Sequence, residues 1–463
     1  MRADGTAQTK EPVSLHMAKV TGETLATRPR PRTSFTAIVA GGMLLLCYLY
    51  IRLAIHAAEQ PRDFVQDYVS ARQLLAGQPL YPDLAPFRDE FTRPAIGFGA
   101  FEYIDVNAHP PVSILLALPV AGLPYGMATL VWEFTGLLSY AAMWWLILRG
   151  VGMPVAGRSR QLAAILAVLA FPPLTETLMS VTMSPYISLL LVAVWFWYRR
   201  GRRSWAALLL ATAIALKLYP ALLIGIFLVR RDWRTAAMAS LAAVGIIALT
   251  LPILGVDAYR EYLSVLPRIS WWLATPWNLS VTGFFGRLFT DGRFTDPIIV
   301  APALAAVLSA GVCGAVIALP AVVAVDLERR APAEASGESF DLLYACAILA
   351  LLLVSPLTWL HYAGPAALAW CILARRDCGG PDNPPACRRW LTTFAAITLI
   401  APFVVSVWTR LINAGLFTET QGSAATSILL FSINTYVWLG MLVLSVRELG
   451  TVVRSPHSAI EKA

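Results

Sequence analysis

The feature that most constrains this chain is a recurrence of apolar runs about as long as a bilayer is thick, divided by short clusters of arginine. A helix needs about 20 apolar residues to cross the hydrocarbon core. Runs of this kind lie at 35–56, 111–148, 160–180, 184–199, 204–229, 235–255, 298–325, 340–358, 361–375, 390–408 and 425–446. Inside lipid, a helix satisfies all its backbone groups within one segment. The runs therefore predict an all-α integral membrane protein, a polytopic bundle of about ten spans. Composition agrees: 57% of residues are hydrophobic and 14% charged, against roughly 25% charged in soluble domains. The net charge of +8 sits in clusters between the runs, as topology signals do, which argues against nucleic acid as a partner.

Those clusters orient the chain. Arg28, Arg30 and Arg32, the 149–160, 199–203 and 230–234 stretches, Arg329 and Arg330, Arg375 and Arg376 with Arg388 and Arg389, and Arg447 with Arg454 are expected in the cytoplasm. Both termini then lie inside. The long segments 57–110 and 256–297 lie outside, as the first and second large extracytoplasmic loops of a membrane domain spanning 34–447. Residues 1–33, polar and rich in Thr and Pro, read as a disordered cytoplasmic tail, and 448–463 as a cytoplasmic tail at the other end.

Two runs fit this path only if they are broken. The 111–148 run is too long for one crossing, so a re-entrant or interfacial half-helix from Pro110-Pro111 to about Leu123 is expected before a full span. The 204–229 run lies between two basic clusters and must enter and return, with Lys217-Leu218-Tyr219-Pro220 at the tip, where proline interrupts a helix. Broken helices are tolerated where they line a cavity, so a binding site is expected here. Four of the six cysteines, Cys47, Cys313, Cys346 and Cys371, fall in or beside apolar runs and read as small hydrophobes. Cys378 and Cys387 flank a Gly/Pro-rich loop with no zinc spacing.

The 57–110 segment carries Asp63, Asp67, Asp83, Asp89, Glu90, Glu102, Asp105 and His109. Asp63 and Asp67 are four apart and project from one helix face. The pair suits a general base with a helper, a divalent cation site, or a solvated helix start with Asp63 as its cap. The 256–297 segment carries Arg260, Arg268, Trp271, Trp272, Trp277, Asn278 and Arg287. Its tryptophans read as an interfacial belt rather than a sugar platform. Glu133, within an apolar run, reads as structural, and Glu176, at the end of one, reads either way.

Five short motifs follow one another in order. Asp63-Phe64 leads to Tyr68, Leu74, Gly77 and Leu80-Tyr81; His109-Pro110-Pro111 precedes an apolar run; Lys217-Leu218-Tyr219-Pro220 leads to Arg230-Arg231-Asp232-Trp233-Arg234; Asn278-Leu279-Ser280 precedes Gly283 and Arg287; and Ser355-Pro356-Leu357-Thr358-Trp359-Leu360-His361-Tyr362 closes the set. Over roughly residues 60–365 the chain resembles glycosyltransferase family 87, membrane enzymes of the GT-C class that draw sugar from polyprenyl phosphates. It departs at Met183-Ser184-Pro185-Tyr186, where the family carries Gly-Gln-x-Asn.

The resemblance implies a GT-C-type bundle in the plasma membrane. Its donor would be a polyprenyl-phosphate-linked hexose, mannose by expectation, and its acceptor a lipid or glycan on the extracytoplasmic side. It makes Asp63 the catalytic base, with Asp67 as support or alternative, and puts His361 near the donor phosphate. Lys217 and Arg268 are expected to join His361 there, while Tyr68, His109, Asn278, Trp359 and Tyr362 touch substrate. Fixed cations and histidine can stabilise the departing phosphate without a metal, so no metal or other cofactor is expected. A single base with a leaving-group clamp predicts an inverting single displacement. The rival readings are a secondary transporter of lipid-linked or small anionic solutes, and an acyl or lipid transferase with His361 as base. A transporter would carry charges near the midplane between repeats, whereas here they gather at the outer boundary in unequal loops.

Overall fold

The computed structural model describes residues 62–87, 105–152, 168–292, 295–330, 337–378, 389–401 and 423–454, with a few isolated positions before and between them. Most of the first apolar run, the 1–33 tail, residues 455–463, Asp89, Glu90, Glu102 and Cys387 lie outside the described residues, while 448–454, expected in the second tail, continue the last helix. Among the described residues the chain is helical, with no strand. In order the helices are α1 (Phe64–Leu75), α2 (Pro111–Ala117), α3 (Tyr125–Val151), α4 (Pro172–Ser180), α5 (Ser184–Arg199), α6 (Arg203–Leu216), α7 (Ile224–Val229), α8 (Trp233–Val265), α9 (Val281–Phe289), α10 (Pro302–Arg330), α11 (Gly337–Val354), α12 (Ala366–Cys378), α13 (Arg389–Ala401), α14 (Ala424–Leu429) and α15 (Ile433–Arg454).

Among the described residues, five helical stretches are long and apolar enough to cross a membrane: Tyr125–Val151, Trp233–Ala274, Pro302–Arg329, Gly337–Val354 and Ala424–Thr451. They sort by packing. α11 is enclosed by α10, α12 and α15, and its side chains from Ser339 to Ala345 are all buried. α8 and α10 instead turn Leu241, Val244, Leu249, Val307 and Val322 outward. In water such continuous apolar surface would be a liability; against lipid tails it costs nothing. The chain is a membrane protein.

Both expected breaks occur, for local reasons. α2 starts at Pro111, whose missing N–H is no loss at the first helical position, tightens into a 3-10 turn at Leu118–Val120 and gives way to α3. α6 ends at Lys217, whose backbone is extended (φ −148°, ψ 136°), and Pro220 then directs a 3-10 turn over Tyr219–Leu223. A third break falls inside α8 at Gly255, where φ is 79°. That left-handed backbone is open to glycine and strained for most other residues, and it lies where the 235–255 run gives way to the second large loop.

Candidate active site

The broken segments meet around a cavity of about 420 Å³. Its lining includes the polar residues Asp63, His109, Glu176, Lys217, His361 and Tyr362 and the indoles of Trp271, Trp272, Trp277 and Trp359.

Asp63 stands at the start of α1 but makes no side-chain cap bond to it. Its N–H donates to the Ser180 carbonyl at 3.0 Å, and the Gln66 amide donates to its carboxylate. The other end of Gln66 accepts from Ala108 N–H, and Asn107 donates to the Gln66 carbonyl and to Ser70. The 107–109 strap is thereby clipped along α1. Burial pushes the Asp63 carboxyl above the usual carboxylate range, while His109 and Lys217 pull the other way.

Asp67 does not share this position. It is buried behind the cavity wall, with its two oxygens 3.0 and 2.9 Å from His109 Nδ1 and a 3.2 Å bond from the Ser113 hydroxyl. A carboxylate offers only acceptors, so Nδ1 of His109 carries the proton. Nothing places Asp67 against a substrate; it orients His109, which does line the cavity.

Lys217, buried at the break after α6, donates from Nζ to the Tyr362 hydroxyl at 2.7 Å and lies 4.0 Å from the centre of the same ring. Tyr219 stacks on that ring, 5.4 Å away and nearly parallel. His361 is buried beside them, and its Nδ1 has no hydrogen-bond partner among the described residues. An unsatisfied donor or acceptor this deep costs about 1–3 kcal/mol, the mark of a group that awaits a ligand or water.

The remaining expectations divide. Trp359 and Tyr362 line the cavity. Arg268 is exposed on the 3-10 turn Leu266–Ala274 and is not among the cavity residues. Tyr68 is turned away from the cavity: its hydroxyl donates to the Leu123 carbonyl at 2.6 Å, and its ring packs edge-on against Tyr125. Asn278 is buried and fully used by protein. Its amide donates to the Leu273 and Pro356 carbonyls and accepts from Thr358 and Ser280 N–H. It staples the second large loop to the 355–362 motif, and a Cβ at Gly283 would collide with the Asn278 carbonyl. Arg287, wholly buried, extends the staple with bonds to the Thr275 and Asn278 carbonyls and to the Ser432 hydroxyl at the foot of α15.

The structure also adds residues. Trp272 and Trp277 each pack on Trp359, both at 6.2 Å between ring centres, so the tryptophans read as a belt line the cavity instead. Belt and platform have the same composition; the signal was their position one to seven residues before Asn278. Glu176 lines the cavity too, while Glu133 lies outside it with both oxygens unpartnered among the described residues. Met183-Ser184-Pro185-Tyr186, the departure from the family pattern, caps and opens α5 away from the cavity residues. Among the described residues no three His, Cys, Asp or Glu side chains converge as metal ligands.

A helical membrane protein with a half-polar, half-aromatic cavity at its helix breaks is the class these features define. Residues 107–356, more than half of the chain, match glycosyltransferase family 87, and the chain belongs to that family. It is a membrane glycosyltransferase, which sets aside the transporter and acyl-transferase readings. The chain is 28% identical over 403 residues, 82% of its length and 81% of the relative's, to the polyprenol-phosphate-mannose-dependent alpha-(1-2)-phosphatidylinositol mannoside mannosyltransferase of Mycolicibacterium smegmatis. Asp63 and His361 fall outside the matched span.

Proposed function

We propose that the protein transfers a hexose, mannose in this reading, from a polyprenyl phosphate to a lipid or glycan acceptor by a single inverting displacement. The observation that carries the reading is one cavity lined by the Asp63 carboxylate and, from other elements, by Lys217 and His361. The acceptor hydroxyl gives its proton to Asp63 as its oxygen bonds to the anomeric carbon. The bond from that carbon to the phosphate oxygen breaks on the opposite face, and the polyprenyl phosphate leaves with the electron pair. A positioned base contributes about 10²–10⁴-fold. Lys217 and His361 act where charge develops on the leaving group, the setting in which fixed donors are worth most.

Mannose is supported by the printed specificity of the mycobacterial relative. The arginine clusters support a GT-C-type bundle of about ten spans, with both termini cytoplasmic and the cavity on the extracytoplasmic face of the plasma membrane. The test is to supply purified protein with labelled polyprenyl-phosphate mannose and a lipid extract of its own membranes. A new labelled lipid or glycan, absent with Asp63→Asn, is the expected result. No transfer from any polyprenyl-phosphate hexose would overturn the donor assignment.

A further inference from the structure

Helix α4 touches both ends of this reaction. At its C-terminus the Ser180 carbonyl accepts the Asp63 N–H, so the base hangs from α4 by its backbone. Along its side α4 packs against the Leu360–Ala363 turn that carries His361. The helix is stopped by Val181, a β-branched residue at φ 51°. Such a left-handed conformation is strained for a β-branched residue and persists only where surrounding structure imposes it. It fixes the Ser180 carbonyl that holds Asp63.

Glu176 stands one turn before that carbonyl and lines the cavity. The Ser180 hydroxyl donates to it at 3.3 Å. A sugar held between a base and a leaving phosphate lies alongside the element that bridges the two, which is α4. A carboxylate offers acceptors alone. It suits the hydroxyl donors of a hexose and is repelled by a phosphate. The Trp272, Trp277 and Trp359 indoles, lining the same cavity, supply the apolar surface that the C–H face of a pyranose requires.

We propose that Glu176 selects the transferred hexose by accepting hydrogen bonds from its ring hydroxyls. The inference rests on the polyprenyl-phosphate donor reading above. A site built to hydrogen-bond a particular hydroxyl discriminates strongly against substrates that misplace it, because its own polar group is then left unpaired.

The experiment compares wild type, Glu176→Gln and Glu176→Asp in lipid nanodiscs. It measures kcat/KM with polyprenyl-phosphate mannose, glucose and galactose, and the inhibition constant of sugar-free polyprenyl phosphate. For Glu176→Gln the expected result is a loss of about 30-fold or more on the preferred donor and a preference among the three sugars narrowed about tenfold. Inhibition by polyprenyl phosphate should stay within about threefold of wild type, which also reports a folded cavity. Glu176→Asp, one methylene shorter, should fall between the two. Equal losses on all donors with preference intact, weakening of polyprenyl phosphate in the same proportion as the donor, or wild-type behaviour of both variants would each overturn the role. A wild-type protein that transfers none of the three sugars would refute the donor reading itself, a failure distinct from any change confined to the variants.

Discussion

Lys217 and Tyr362 are 145 positions apart in the chain, yet the lysine donates to the tyrosine hydroxyl at 2.7 Å with its ammonium 4.0 Å from the centre of that ring. The contact joins the break after α6 to the motif after α11. It holds the Lys217 amine in the cavity through a neutral hydrogen-bond partner, within electrostatic reach of Asp63. Lys217→Met keeps the apolar stem and removes the charge. Turnover should fall by about 2–4 kcal/mol of transition-state stabilisation, the size found for a single charge-stabilising donor. Steady-state transfer rates alongside thermal unfolding in detergent check this; a wild-type rate would reduce the lysine to a packing role.

The separation of Asp63 from Asp67 makes a paired prediction. Asp63→Asn nearly preserves shape and removes the base, so transfer should drop at least about 10²-fold while donor binding persists. Asp67→Asn breaks the bonds to His109 and Ser113 and should cost stability and raise KM, with the smaller loss in kcat. A chelator should alter neither protein. An active Asp63→Asn beside a dead Asp67→Asn would reverse the assignment.

Because burial raises the Asp63 carboxyl, its protonation should appear in the pH profile. The base works only when ionised, so kcat/KM should fall as pH drops through the raised value, and this acidic limb should be missing from the residual activity of Asp63→Asn. Stability should run the other way. Ionising a carboxyl that burial holds neutral costs folding energy, so its contribution is greatest at low pH. It is lost as pH rises from the unfolded value near ~3.9 through the folded one. Melting curves of wild type and Asp63→Asn across pH test the sign.

Asn278 tests whether the loop staple is structural. Asn278→Ala leaves the Thr358 N–H without its partner, at about 1–3 kcal/mol for a buried group, and the Pro356 carbonyl with the Ser280 hydroxyl but without the Asn278 amide. A lowered melting temperature is expected, together with lost activity on every sugar donor. An unchanged melting temperature with selective loss on one sugar would restore Asn278 to substrate contact.

Gln78 is exposed just beyond α1 and reports on topology. Gln78→Cys, in a background without the native cysteines, should react with an impermeant maleimide on intact cells. Labelling only after permeabilisation would invert the orientation and the side on which the cavity opens.

The membrane class, the breaks at Pro111 and Lys217, and the order of the motifs were legible in the sequence because each is a local property. Apolar length, the missing N–H of proline and short spacings need no knowledge of what packs where. Lys217 could be singled out for the same reason, beside such a break, and Asp63 by its spacing from Asp67, whereas His361, Trp359 and Tyr362 were reached through the resemblance of the 355–362 motif. Only the tertiary structure decided which way side chains face. Helical spacing puts Asp63 and Asp67 on one side of α1, but His109 and Ser113, more than 40 residues away, bind the second into the wall and leave the first in the cavity. Asn278 belongs to the scaffold because Pro356 and Thr358 take its amide, Tyr68 because Leu123 takes its hydroxyl, and Arg268 stays outside at the surface. Glu176 and the tryptophans enter the site through long-range packing of α4 and the second loop. Each outcome rests on partners distant in the chain, and such pairing is fixed by the fold of the whole rather than by the pattern around any one residue.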